Sequence, residues 1–169
     1  MNSNNNIYNL AAVGVQQLIP YKAGKPIEEL ERELGLTEII KLASNENPLG
    51  PGKKAMAAIQ ETLSTLALYP DGSGFSLKKA LANKYGVVES QITLGNGSNE
   101  LLELVARAFL TPEFEAVFSQ HAFAVYPIVT QAVGAKSVVV PALNYGHDLD
   151  SMLKAVTEKT RLVFIANPN

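Results

Sequence analysis

Apolar residues change their period several times along this chain, and each change marks an element. Met56, Ile59, Leu63 and Leu66 recur at three- and four-residue steps, which predicts a helix with one apolar stripe. Leu77, Leu81 and Tyr85 recur every fourth residue and predict a second helix that stops at Gly86. Leu101, Leu102, Leu104, Val105, Ala108 and Phe109 form a wider helical face. Short apolar runs lie between such stripes: "IIKLA", "QITLG", "AVFS", "SVVVP" and the start of "RLVFIANPN" read as strands. Residues 124–134 read as a helix with Pro127 in its first turn. Asp148 reads as the cap of a helix carrying Leu149, Met152, Leu153 and Val156.

β-Branched runs without polar alternation suit strands buried on both faces of a parallel sheet. Their alternation with helices predicts an α/β fold, mainly a parallel sheet with helices on both faces. The beginning reads differently. An Asn-rich patch within the first dozen residues reads as a mobile tail, and "IPYKAGKPIEELERELG" as an arm with a short acidic helix ending near Gly35. Residues 1–35 are therefore taken as an N-terminal arm and leading helix, and 36–169 as an incomplete sheet-bearing domain. No helix follows the last strand, so the sequence reads as part of a longer protein.

Composition narrows the function classes. Fourteen basic and 16 acidic residues leave a formal charge of -2, which disfavours a nucleic-acid binder built on a basic patch. No apolar stretch approaches the roughly 18 residues of a membrane span, and no secretory signal pattern opens the chain. Absent cysteines exclude disulfides and thiolate metal sites. A cytoplasmic protein without membrane or nucleic-acid partners is expected. His121 and His147 stand without a ligand cluster, so no metal site is expected.

The stretch "LGNGSNELLEL" carries the clearest chemistry. It runs from an expected strand through Gly95 and Gly97 into a helix, where unpaired backbone N–H groups and the helix dipole favour a phosphate. Ser98 and Asn99 can cap the helix or bond the anion. The plainer reading is an ordinary strand–turn–helix connection. A dinucleotide fingerprint would need a third glycine where Glu100 stands, and a P-loop would need a lysine that the loop lacks. Next, "SQHAFAVYP" follows a strand that ends on the same rim. Phe123 and Tyr126 are three apart and can face one way, as a ring to stack on a flat cofactor with a phenol nearby. Taken alone, aromatics at helical spacing read as core.

Five stretches in order, "KLASNENPLGP", "LYPDGSG", "LGNGSNELLEL", "FAVYP" and "ANPN", give a wider resemblance. From Tyr21 onward the chain resembles the pyridoxal-phosphate aminotransferases of fold type I, and among them the histidinol-phosphate aminotransferase family. The resemblance implies pyridoxal 5'-phosphate as cofactor, with Gly97, Ser98 and Asn99 at its phosphate. It implies Phe123 stacked on the cofactor ring, with Tyr126 beside it. Relatives more often have Tyr where Phe123 stands. It further implies that Tyr69 reaches the cofactor of a neighbouring subunit in a homodimer. Tyr21 is implied to help hold the substrate's phosphate across the dimer, and Asn45 and Asn47 to lie near the substrate side, with histidinol phosphate and 2-oxoglutarate as substrates. The lysine that bonds the cofactor has no match here, and the resemblance places it beyond Asn169. No residue of this chain is thus expected to be catalytic by itself, and the 169-residue polypeptide alone is expected to be inactive. A related aromatic or broad-specificity aminotransferase, or a non-catalytic interaction fragment, is the alternative.

Overall fold

The computed structural model describes residues 7–21, 24–42 and 44–168. The chain divides into two compact units, Met1–Tyr21 with Leu94–Asn169, and Lys22–Thr93. The Asn-rich tail lies largely outside the described residues; Ile7–Leu10 form a 3-10 turn.

The first unit holds the sheet. Its helices are α1 (Val13–Gln16), α5 (Gly97–Phe109), α6 (Val125–Ala132) and α7 (Leu149–Lys154). Its strands are β1 (Glu115–Ser119), β2 (Lys136–Val140) and β3 (Thr160–Phe164). Within the sheet the pairing is parallel, in the order β2-β1-β3, and a single antiparallel bridge joins Leu143 and Gly146 outside it. β1 is central, and every one of its residues is buried, as an unalternated apolar run requires. Alternate β1 side chains serve opposite layers. Ala116 and Phe118 pack with Ala106 and Leu110 at the end of α5 and with Val125, Tyr126 and Val129 of α6. Val117 packs with Val140 of β2 and Met152 of α7. Helices therefore cover both faces, as the sequence predicts. Pro127 sits in the first turn of α6, where its missing N–H costs nothing. Asp148 caps α7 by accepting from the Ser151 N–H at 3.0 Å.

The second unit contributes α2 (Ile27–Leu34), α3 (Lys53–Thr62) and α4 (Phe75–Tyr85). Gly35 and Gly86 end α2 and α4 in the left-handed conformation, at φ 63° and 67°. The stripe from Met56 to Leu66 does not form one helix: α3 stops at Thr62 and a 3-10 turn carries Leu63. All four stripe residues are exposed, so no apolar surface draws that face into a regular helix.

Two expected strands are not strands. Ile39–Leu42 of "IIKLA" have no ladder (Ala43 lies outside the described residues), and Gln91 of "QITLG" belongs to a 3-10 turn. Ile92 does adopt extended backbone, φ -111° and ψ 119°. Apolar pattern makes a segment competent to be a strand, but a partner's hydrogen bonds complete it. Ile40 and Leu42 are 84% and 95% exposed, with no strand beside them among the described residues.

At the opposite end of β1 from the loops discussed below, Glu115 is a buried carboxylate tying three elements together. It accepts from the Thr157 hydroxyl at 2.6 Å, from Thr160 Oγ1 at 3.1 Å and from Lys136 Nζ at 3.2 Å. The Thr157 hydrogen bond leads the causes that hold its pKa below the ordinary value, outweighing desolvation, with Lys136 assisting. Because the folded pKa is depressed, this contribution is full above the ordinary carboxylate pKa of about 4.3 and is lost as pH falls through the folded value. Urea midpoints of the native chain should therefore fall as pH drops below about 5, and Glu115→Gln should flatten that fall. Parallel curves for the two proteins would remove Glu115 from the acid response.

Candidate functional site

The carboxyl end of β1 opens into Ser119–Ala124 and then α6. Ala122 N–H donates to Ser119 O at 3.1 Å and Tyr126 N–H to Phe123 O at 3.0 Å, so the chain turns tightly here. α5 precedes β1 through a short connection and packs on the same face as α6. A helix feeding a strand in this way runs against it, which sets the α5 N-terminus on the strand's carboxyl rim, where open α/β sheets bind ligands. Gly97, Ser98 and Asn99 form the first turn of α5 and therefore share this rim with Phe123.

That first turn suits an anion. Gly97 has φ 81°, which favours glycine, and no side chain caps the helix from Asn96. Among the described residues the side chains of Ser98 and Asn99 make no hydrogen bond, leaving them and the Ser98 and Asn99 N–H groups available, whereas Gly97 N–H donates to Gly95 O at 3.0 Å. Gly95 permits close packing: a Cβ there would lie 2.9 Å from Glu100 Oε2 and 3.0 Å from Leu101.

Glu100, which stands where a dinucleotide fingerprint would need glycine, also shapes the loop. Its carboxylate reaches back to the Asn96 N–H at 2.5 Å and to Asn96 Nδ2 at 3.3 Å. An acid in the first turn of an expected helix is the signal for such a back-reaching cap. It steadies the loop but puts negative charge beside the anion seat. Glu100→Gln keeps an oxygen for the Asn96 N–H and removes the charge. Helix-terminal charges are worth about 0.3–1 kcal/mol. Titration calorimetry should accordingly find phosphate-bearing ligands bound up to about fivefold more tightly; weaker binding would mean the charge helps hold the loop open.

The aromatic residues divide by burial. Phe123 is 37% exposed and Tyr21 is 50% exposed, with ring centroids 6.2 Å apart and nearly perpendicular. Tyr126 belongs mainly to the core: it is 8% exposed and stacks on Phe164 at 4.6 Å and 9°. Its hydroxyl makes no hydrogen bond among the described residues and is not among the sealed, unpartnered side-chain atoms there. Tyr126 thus supplies the wall against which Phe123 stands, 5.9 Å away and edge-on. Gly97, Ser98, Asn99, Phe123, Tyr126 and Tyr21 all belong to the unit that holds the sheet, and Tyr21 lies beside Phe123 of its own chain rather than reaching away from it.

Tyr69, Asn45 and Asn47 belong to the other unit. Asn47 is occupied locally: its Oδ1 accepts from Leu49 N–H at 3.1 Å and its Nδ2 donates to Gly50 O at 2.9 Å. This makes it a turn former, whatever else it touches. Asn45 is exposed, and Tyr69 is fully so. Beside Tyr69, Asp71 accepts from Ser73 N–H and from Phe75 N–H, at 2.9 and 3.1 Å, and steadies the start of α4. Its carboxyl lies below its ordinary pKa, chiefly through the Ser73 hydroxyl.

No cluster of three metal-ligating side chains and no helix long and apolar enough to cross a membrane occurs among the described residues.

Comparison with known proteins settles the family. The model described as aminotransferase class I and II matches residues 37–169. The chain belongs to this family. Among similar aminotransferases, histidinol-phosphate aminotransferase 2 of Pseudomonas fluorescens strain Pf-5 is 65% identical over 95% of this chain and 44% of its own length. Histidinol-phosphate aminotransferase 1 of Idiomarina loihiensis is 58% identical over 97% of this chain and 45% of its own. The chain thus spans less than half the length of these curated relatives. A solved histidinol-phosphate aminotransferase from Sinorhizobium meliloti, in complex with pyridoxal-5'-phosphate, superposes with a TM-score of 0.81. It is 27% identical, over 92% of this chain and 41% of that one. An aspartate aminotransferase of Thermus thermophilus shares the fold, with a TM-score of 0.73 at 19% identity. The α/β aminotransferase fold expected from the sequence is therefore the fold of this chain.

Proposed function

We propose that this chain supplies the phosphate seat and ring wall of a pyridoxal 5'-phosphate site. In the whole protein that site would transfer the amino group of L-histidinol phosphate to 2-oxoglutarate. The observation that carries the reading is the α5 N-terminus, with Ser98 and Asn99 uncommitted, on the rim that also presents Phe123. Identities of 58–65% to proteins named histidinol-phosphate aminotransferase support the substrate.

The N–H groups of the first α5 turn and the Ser98 hydroxyl would hold the cofactor phosphate, with the helix dipole adding to the attraction. Phe123 would lie against the ring face, held upright by Tyr126. Pyridoxal phosphate, when bound, supplies an electron sink for the carbanion left as the substrate's α-proton departs. The residues here bind and orient; they place the cofactor so that groups elsewhere in the protein can move that proton. Tyr21, Asn45 and Asn47 would face the substrate, and Tyr69 would reach a neighbouring subunit's cofactor in a cytoplasmic homodimer.

Glutamate formation from 2-oxoglutarate, followed with the protein expressed from its full reading frame, tests this directly. Histidinol phosphate should be the preferred donor among amino acids and amino alcohols. Turnover of aromatic amino acids with none of histidinol phosphate would overturn the substrate and leave the family intact.

A further inference from the structure

A feature of the N-terminal arm lies outside the phosphate seat and the ring wall. Helix α1 rests on the carboxyl end of α6 through a glycine. A Cβ on Gly14 would stand 2.0 Å from the Gln131 carbonyl oxygen, 2.9 Å from Gly134 N and 3.1 Å from Gly134 Cα. All three are backbone atoms, so no side chain can move aside to admit a methyl group. Gly134 itself is at φ 77°, and its N–H donates to Gln131 O at 2.8 Å, which fixes the surface that Gly14 meets. The Gln131 side chain closes the contact by donating from Nε2 to Gly14 O at 3.3 Å.

The far end of the arm meets the far end of α6. From Gln131 back to Phe123 is eight residues, about 12 Å at the rise of an α-helix. After α1, the four residues Leu18–Tyr21 can span about 13 Å when extended. Pro20 fixes its own φ, and Ile19 before it is biased toward extended backbone, so this strap is stiff and of matching length. It ends with Tyr21 edge-on to Phe123, at 6.2 Å and 75°. The arm is therefore anchored at one end of α6 and delivers a half-exposed phenol to the other.

We propose that Gly14 is a positioning residue: its missing side chain lets α1 seat on the α6 backbone, and that seat sets Tyr21 against Phe123. The role matters to function through the reading of Phe123 as the ring wall of the cofactor site. Tyr21 then adds a half-exposed phenol ring to the rim beside Phe123.

Nuclear magnetic resonance of the whole chain, with tyrosine and phenylalanine rings labelled, tests the positioning without any activity. In the native chain Tyr21 should show ring-current-shifted signals and cross-peaks to Phe123. Gly14→Ala should abolish those cross-peaks and move Tyr21 to exposed-tyrosine shifts. Tyr126, stacked in the core, should keep its signals and so report an intact fold. A chain starting at Leu18 should behave like Gly14→Ala, because it removes the anchor without adding an atom. Persistence of the Tyr21–Phe123 cross-peaks in either variant overturns the proposal. Adding pyridoxine 5'-phosphate separates the two ideas: if it leaves Phe123 unshifted while Gly14→Ala still releases Tyr21, the cofactor reading falls and the positioning role stands.

Discussion

Phe118→Ala is expected to remove about 3–5 kcal/mol of stability, the range for truncating a buried aromatic ring. Phe118 is 2% exposed and sits in the central strand, with Tyr126 at 6.3 Å and Phe164 at 6.4 Å between ring centroids. Its ring touches the layer formed by α5 and α6, so the cavity left behind would border both helices of the candidate site. Small domains hold only about 5–15 kcal/mol in total, so one substitution would consume a large share. Denaturant unfolding should show the midpoint collapsing or the native baseline disappearing. The damage should also reach function, because Ser119–Ala124 continue directly from this strand to Phe123. A loss below about 1 kcal/mol would mean that β1 is not the centre of the core.

The second large effect concerns the loop. Ser98→Asp should weaken binding of a phosphate-bearing ligand by about 10- to 100-fold. A charge-assisted hydrogen bond is worth about 1.5–3 kcal/mol, and the new carboxylate adds repulsion to its loss. The folded chain should tolerate the change, since an acid in the first turn of a helix is itself favourable. Binding and stability thus move in opposite directions, which distinguishes a ligand seat from a plain helix cap. Calorimetric titration alongside thermal melting would show the split. Unchanged affinity would take Ser98 out of the site.

Sequence reading reached the sheet where local pattern and tertiary partner agree. "AVFS", "SVVVP" and "RLVFI" were legible because each forms or flanks a paired strand, and Gly86 and Asp148 because helix stops and caps act locally. "IIKLA" and "QITLG" show the limit: the pattern was apolar, but pairing depends on a neighbour that the local sequence does not name. At the site, Gly95 and Gly97 mark the turn into α5 in the sequence itself, whereas the division of Tyr126 between core and site depends on Phe164, a partner in another strand. Glu100 interrupts a glycine motif in the sequence, but its place in the first turn of a helix is itself a capping signal. The Gly14 contact had no local signal. Its requirement for glycine comes from Gln131 and Gly134, more than a hundred residues away.

The central claim is that the first turn of α5 seats the phosphate of the cofactor. Pyridoxine 5'-phosphate, which carries the phosphate but no aldehyde to react with lysines, can be titrated into the 15N-labelled chain beside pyridoxine. The amides of Gly97, Ser98 and Asn99 should shift with the phosphate ester and stay still with pyridoxine. Equal shifts with both compounds, or shifts that spare these three residues, would contradict the claim.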